Sequence, residues 1–75
     1  MKTYQFTAQI EKDKETGLYI GIVPSLPGAH TQAATLDELQ TNLREVIELC
    51  LEELNPDELN DLPEFIGFQQ ISIAV

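Results

Sequence analysis

The fold is decided by residues 35–54, which read TLDELQTNLREVIELCLEEL. Apolar residues recur here at three- and four-residue spacing, the pattern of a helix with one buried face: Leu36, Leu39, Leu43, Val46, Ile47, Cys50, Leu51 and Leu54. Thr35 and Glu38 predict a capping box, in which the Thr35 hydroxyl accepts the Glu38 amide and the Glu38 carboxylate reaches back to the Thr35 amide. Asn55-Pro56 ends the helix, because the residue before a proline is pushed out of helical geometry. The stretch therefore predicts one amphipathic helix of about five turns.

Asn55 is also suited to begin a second, shorter helix. Pro56 would occupy its first position and Glu58 its third, which is favourable chemistry for a helix start. Pro63 limits this helix to about two turns.

The residues before the long helix follow strand periodicity. Residues 2–11 alternate, with Tyr4, Phe6, Ala8 and Ile10 on one face and polar residues on the other, which predicts a strand of an antiparallel sheet. Residues 12–17 are charged and end on a glycine, as hairpin loops do, and residues 18–23 form the returning strand. Gly21 in that strand allows either a close approach by a neighbour or a bulge.

Two further segments complete the predicted fold. A short third strand is expected over residues 29–33, and residues 69–75 alternate again as a closing strand. The order β-β-β-α-β, with the short extra helix before the last strand, predicts an α+β fold: an antiparallel sheet with one long helix packed on a face. Residues 1–75 form a single domain.

A domain of this size has a small core, so additional stabilisation is expected. Cys50 is the only cysteine, so an internal disulfide is excluded, and its place on the apolar stripe predicts a buried thiol. One Cys and one His cannot supply a zinc site. Self-association is the device that remains.

The charge is concentrated in one part of the chain. Residues 1–30 carry three acids and three bases, whereas residues 31–75 carry ten acids against Arg44 alone, which is the whole formal net charge of −9. The candidate partner-binding residues lie on and just after the last turns of the long helix: Glu45, Glu48, Glu52 and Glu53. They are explained either as a solubilising helix face or as a surface for a partner of opposite charge. Because acids in the last turn oppose the helix dipole, the second explanation is favoured.

The residues do not predict an enzyme, a cofactor site or a metal site. His30 has no nucleophile or metal partner near it in sequence, and the four glycines do not form a phosphate-binding loop. The acids at the C-terminal end match no calcium-loop spacing, although a divalent ion could gather them: Asp57, Glu58, Asp61 and Glu64. No apolar run approaches the ~18 residues of a membrane span and no signal peptide is apparent, so a cytoplasmic protein is expected.

One set of motifs goes beyond this general patterning. Residues 17–28 read GLYIGIVPSLPG and are followed by Thr31-Gln32, by TLDEL at 35–39, by Asn42-Leu43 and by EVIE at 45–48. This sequence resembles the N-terminal domain of the HicB family of antitoxins over residues 1–54. The residues that carry the resemblance form the turn and helix-cap motif: Tyr19, Pro24, Leu26, Pro27, Gly28, Thr35 and Glu38.

The resemblance implies a fold like a trimmed ribonuclease H sheet without its catalytic acids. It also implies an antitoxin of a type II toxin–antitoxin system, which binds and occludes a small basic HicA-type toxin that cleaves messenger RNA, and which assembles as a dimer or tetramer. Many HicB proteins continue into a DNA-binding domain, but with a net charge of −9 this chain is expected not to bind DNA directly. The alternative function is a homo-oligomeric accessory or scaffold domain with no toxin, in which the terminal strand pairs with its copy.

Overall fold

The computed structural model describes residues 3–75 and confirms the α+β class. Its elements are three strands and two helices: β1 (Gln9–Lys12), β2 (Tyr19–Ile22), β3 (His30–Ala33), α1 (Leu36–Glu52) and α2 (Pro56–Asn60). Lys2, which belongs to the first strand in the sequence prediction, lies outside the described residues.

The three strands form an antiparallel sheet in the order β1-β2-β3. In the loop between β1 and β2, the Asp13 amide donates to the Leu18 carbonyl at 2.8 Å, and Gly17 adopts a φ of +74° that favours glycine. The Thr16 hydroxyl and then the Thr16 amide donate to the Asp13 carboxylate, at 2.7 and 2.9 Å, and lower the pKa of Asp13. The charged loop predicted for residues 12–17 is therefore a tight, hydrogen-bonded hairpin turn.

The first strand is much shorter than residues 2–11, and the reason lies in its partner. The register places Gln9 opposite Ile22. Beyond Ile22, the Val23 amide donates toward the β3 side, to the Ala29 carbonyl at 2.9 Å, and the next residue, Pro24, has no amide to donate to the residues before Gln9. The alternating residues 3–8 consequently belong to no strand of the described chain.

Helix α1 begins where its cap predicts, with one difference. The Thr35 hydroxyl accepts the Glu38 amide at 3.1 Å, but the Glu38 carboxylate accepts from the Ala34 amide at 3.4 Å rather than from Thr35. A complete capping box is found instead at α2, where the Asn55 side chain accepts the Glu58 amide at 2.8 Å and the Glu58 carboxylate accepts the Asn55 amide at 3.2 Å. The second helix start is thus confirmed.

Helix α1 covers one face of the sheet over β2 and β3. Leu39 and Leu43 are its buried residues, and they pack with the rest of the core: Val23, Leu26, Ala29 and Ala33. Five other residues of the predicted stripe pack half-buried around this core: Val46, Ile47, Cys50, Leu51 and Leu54. Leu36 lies at the first position of the helix and is exposed, so the stripe begins one turn later than predicted.

Gly21 is the point where helix and sheet meet most closely. A Cβ atom at this position would lie 3.0 Å from Cδ1 and 3.0 Å from Cδ2 of Leu43. Of the two explanations that the sequence allows, close approach by a neighbour is therefore the one observed. The Asn42 side chain adds a second link, donating to the Gln32 carbonyl of β3 at 3.3 Å.

The predicted closing strand is not formed. Residues 63–75 carry neither helix nor strand, and residues 66–75 are all exposed. A strand is defined by ladder hydrogen bonds to a neighbouring strand, and the described chain has no backbone hydrogen bond that involves residues 63–75.

Candidate protein-binding surface

The acidic face consists of Glu45, Glu48 and Glu52 on α1 together with its C-cap residue Glu53. All four residues are exposed, whereas Leu39 and Leu43 of the same helix are buried in the core. Residues at three- and four-residue spacing are neighbours on a helix surface, so these carboxylates form one continuous row. With a rise of 1.5 Å per residue, the row is about 12 Å long.

The position of this row on the helix is electrostatically unfavourable. The first turn of α1 holds Asp37 and Glu38, where the helix dipole stabilises negative charge, but the last turn contains no basic residue. Glu52 and Glu53 therefore add negative charge where the helix already presents its unpaired carbonyls. The acids at the start of the helix are explained by helix stability, whereas the acids at its end are not.

The turn and helix-cap motif serves to build the fold. Leu26 is 1% exposed. Its amide donates to the Val23 carbonyl at 3.1 Å, and the Leu26 carbonyl accepts the Ala29 amide at 3.1 Å. Gly28 adopts a φ of +82°, which only glycine tolerates well. Pro24 and Pro27 are exposed at the surface of the turn. Leu26 and Gly28 therefore shape the turn and anchor it to the core, and the two prolines are the part of the turn that faces solvent.

The other motif residues support the core and the start of α1. Tyr19 packs half-buried against the core, with the Lys12 ammonium 5.3 Å from the centre of its ring. Thr35 caps the start of α1, and about 20 Å of helix separates it from Glu48. The structure therefore does not bring the motif and the acidic face together into one cleft.

The remaining chemically reactive residues are dispersed. Within residues 3–75, no three His, Cys, Asp or Glu side chains are grouped so that they could hold a metal ion, and this includes the acids around α2. His30 is exposed on β3 opposite Ile22, and Cys50 is half-buried beside the core. In the same part of the chain, no helix combines the length and apolar character required to cross a membrane.

A groove that the sequence did not predict lies between the unpaired residues 3–8 and α2. It has a volume of about 370 Å³, and its apolar lining comes from both ends of the chain: Tyr4, Phe6, Leu59, Leu62, Pro63 and Phe65. Phe65 also packs edge-on against Phe68, with ring centres 5.2 Å apart. The only sequence signal was the density of apolar residues in 59–68, which periodicity did not assign to any strand or long helix.

Comparison with known proteins identifies relatives but no experimental structure. The chain is 49% identical to a UPF0150 protein of Synechocystis over 97% of its own length and 100% of the relative's. It is 48% identical to a UPF0150 protein of Thermotoga maritima, over 91% of this chain and 88% of that one, and 49% identical to one of Archaeoglobus fulgidus, over 92% and 94%. No family profile and no solved structure matches. At this identity and coverage, the chain belongs to the UPF0150 family.

Proposed function

We propose that this protein is a HicB-like antitoxin that binds and occludes a small basic toxin of the HicA type. The observation that carries the proposal is the acidic face: four exposed carboxylates on α1 and its C-cap, of which Glu52 and Glu53 lie at the helix end, where they oppose the helix dipole. Acids that destabilise the free protein are best explained by a partner whose opposite charge offsets that cost in the complex. A basic toxin surface would supply the missing cations.

Binding, rather than catalysis, is the activity that these residues support. The four carboxylates are exposed and spread along one helix, whereas acid–base catalysis needs carboxyl groups held in a cleft that separates their pKa values. An exposed, one-signed surface instead speeds the encounter with an oppositely charged protein. The antitoxin would act in the cytoplasm, where a toxin that cleaves messenger RNA meets its substrate.

The test is a binding titration with a purified HicA-type toxin from the same genome, made as an inactive variant. Reversing Glu45, Glu48 and Glu52 to Lys should weaken the complex at least 100-fold at 50 mM salt. Charge pairs at protein interfaces have coupling energies of about 1.5 kcal/mol or more each, so three of them suffice for this loss. The wild-type affinity should fall steeply as salt rises.

The matched control carries the same charge change elsewhere. Glu11, Glu15 and Glu64 are exposed and lie away from α1, and reversing them to Lys also changes the net charge from −9 to −3, because each reversal adds two charges. This variant should lose much less affinity. Equal losses in both variants would mean that only the overall charge matters, and an unchanged affinity after the α1 reversals would exclude the acidic face as the contact.

The alternative function is a stand-alone accessory or scaffold domain that assembles with itself and has no toxin. The observation that favours it is the large exposed apolar surface at the C-terminal end of the chain, with Ile66 and Ile71 more than 80% exposed. Complete absence of binding to basic toxins, at low salt as well as high, would leave this function as the better explanation.

A further inference from the structure

Residues 66–75 form an apolar arm whose residues are all exposed, although its first three residues line a groove beside Gln9, Pro24 and Phe65. Its apolar side chains are almost as exposed as in an unfolded chain: Ile66 85%, Phe68 60%, Ile71 81%, Ile73 78% and Val75 fully. Ile71, Ile73 and Val75 alternate with Gln70, Ser72 and Ala74, which is the pattern of a strand with one buried face. Contiguous apolar surface of this kind marks an interaction site.

The dimensions of the whole molecule show how much surface is left uncovered. Its accessible surface is 6412 Å², whereas a folded monomer of 8.4 kDa exposes about 4,600 Å². The radius of gyration is 14.4 Å, against about 11 Å for a compact domain of 75 residues. Each chain therefore exposes roughly 1,800 Å² more than a self-sufficient domain would.

Residues 3–8 provide a surface that an arm of this kind could complete. They alternate like a strand, with Phe6 and Ala8 packed against the core, yet they belong to no ladder because β2 ends before reaching them. They directly precede β1 in the chain, and β1 is an edge strand of the sheet. The groove beside Tyr4 and Phe6 supplies an apolar floor.

We propose that the arm is exchanged between two copies of this chain. Residues 69–75 of each copy add a strand beside residues 3–8 of the other, so that Ile71, Ile73 and Val75 join the apolar face of Tyr4 and Phe6. When the arm of one copy pairs with residues 3–8 of the other, one arm and one copy of residues 3–8 are still unpaired. These two pair in the same way, so a twofold dimer leaves no arm free and does not grow further. The exchange does not depend on a toxin being the partner of α1.

A second copy is the occupant that these observations favour. Residues 69–75 of the arm and residues 3–8 have similar lengths, seven and six residues, and neither segment belongs to a ladder in the described chain. If the excess surface is buried on each copy, the dimer buries about 3,600 Å², which lies in the range of obligate homodimers. Residues 3–8 and 69–75, which pair with no strand in the described chain, would pair with each other in the dimer.

The first experiment measures mass in solution by light scattering. The wild-type protein should have twice the mass of the 8.4 kDa chain. The variant Ile71→Asp with Ile73→Asp should be monomeric, with unchanged helix content by circular dichroism, because both side chains are about 80% exposed within one chain. The control, Gln70→Asp with Ser72→Asp, places the same two charges on the polar face and should remain dimeric. A monomeric wild type, or control and test variants that behave alike, would overturn the proposal.

The second experiment asks which chain the arm contacts. In a Cys50→Ser background, Gln5→Cys is combined in turn with Gln70→Cys, Ser72→Cys and Ala74→Cys, which are alternate positions on the polar face of the arm and so sample its register. At least one combination should give a disulfide-linked dimer on non-reducing gels. Links formed only within one chain would show that the arm folds back. Dimers that the arm cysteines form equally well without Gln5→Cys would show that the arms pair with each other; either result overturns the exchange.

Discussion

Gly21 shows how one missing side chain sets the distance between helix and sheet. The methyl groups of Leu43 lie 3.0 Å from the point where any other residue would carry its Cβ, which is closer than an ordinary van der Waals contact. Leu43 is itself buried, so it has little room to move away. The glycine is therefore required by packing and not by backbone conformation.

Gly21→Ala should consequently destabilise the protein by roughly 1 kcal/mol. Alanine restricts the unfolded chain and would by itself stabilise by about 0.4–1 kcal/mol, but overpacking a tight core costs about 1–3 kcal/mol. Urea denaturation at one fixed protein concentration measures the difference, since a dimer's stability depends on concentration.

The companion variant isolates the contact. In a Leu43→Val background, where a smaller side chain faces the glycine, Gly21→Ala should cost much less or become stabilising. The two changes would then be strongly non-additive, as expected for residues in direct contact. An equal cost in both backgrounds would assign the effect of Gly21 to the strand backbone.

At the scale of elements, the sequence predicted what is local and missed what depends on a distant partner. Helix α1 could be predicted because its apolar spacing, its Thr35 cap and the proline after Asn55 lie in the element or within a few residues of its ends. The acidic face followed from the same periodicity. Strand β1 could not be bounded, because its length is set by where β2 turns away at Pro24. The groove and the uncovered arm depend on segments some sixty residues apart, for which periodicity gives no information.

The charges at the two ends of α1 allow the helix dipole to be tested directly. Glu52→Lys places a cation in the last turn and removes a like-charge pair with Glu48, so it should stabilise the free protein by about 0.5–1 kcal/mol. Thermal unfolding measures this as a shift of several degrees for a domain of this size. The same variant should weaken binding to a basic toxin.

The control places lysine at the other end of the helix. Asp37→Lys should destabilise the protein, because it places a cation in the first turn while leaving the hydrogen bond between Glu38 and the Ala34 amide in place. Opposite signs at the two ends identify the dipole as the cause. If Glu52→Lys is also destabilising, then Glu52 stabilises the free protein. A binding partner is then no longer needed to explain why an acid stands in the last turn.

At the scale of the whole molecule, the net charge of −9 makes the two proposed associations respond to salt in opposite ways. Two copies of this chain repel each other, so the exchange dimer must form against that repulsion through apolar contact and strand pairing. A basic toxin is attracted by the same charge. Raising the salt concentration from about 0.01 to 0.15 M shortens the screening length from about 30 to 8 Å and weakens both the repulsion and the attraction.

The dimer should therefore become several-fold tighter with rising salt, while the complex with a basic toxin becomes weaker over the same range. Analytical ultracentrifugation of the protein alone and of the mixture, at 0.01, 0.15 and 0.5 M NaCl, measures both dissociation constants with the same method. Reversing Glu45, Glu48 and Glu52 to Lys lowers the net charge to −3 and should flatten both dependences. A dimer that dissociates as salt rises would require ion pairs between the copies, which an exchange through an apolar arm does not provide, and a toxin complex indifferent to salt would remove the acidic face from its interface.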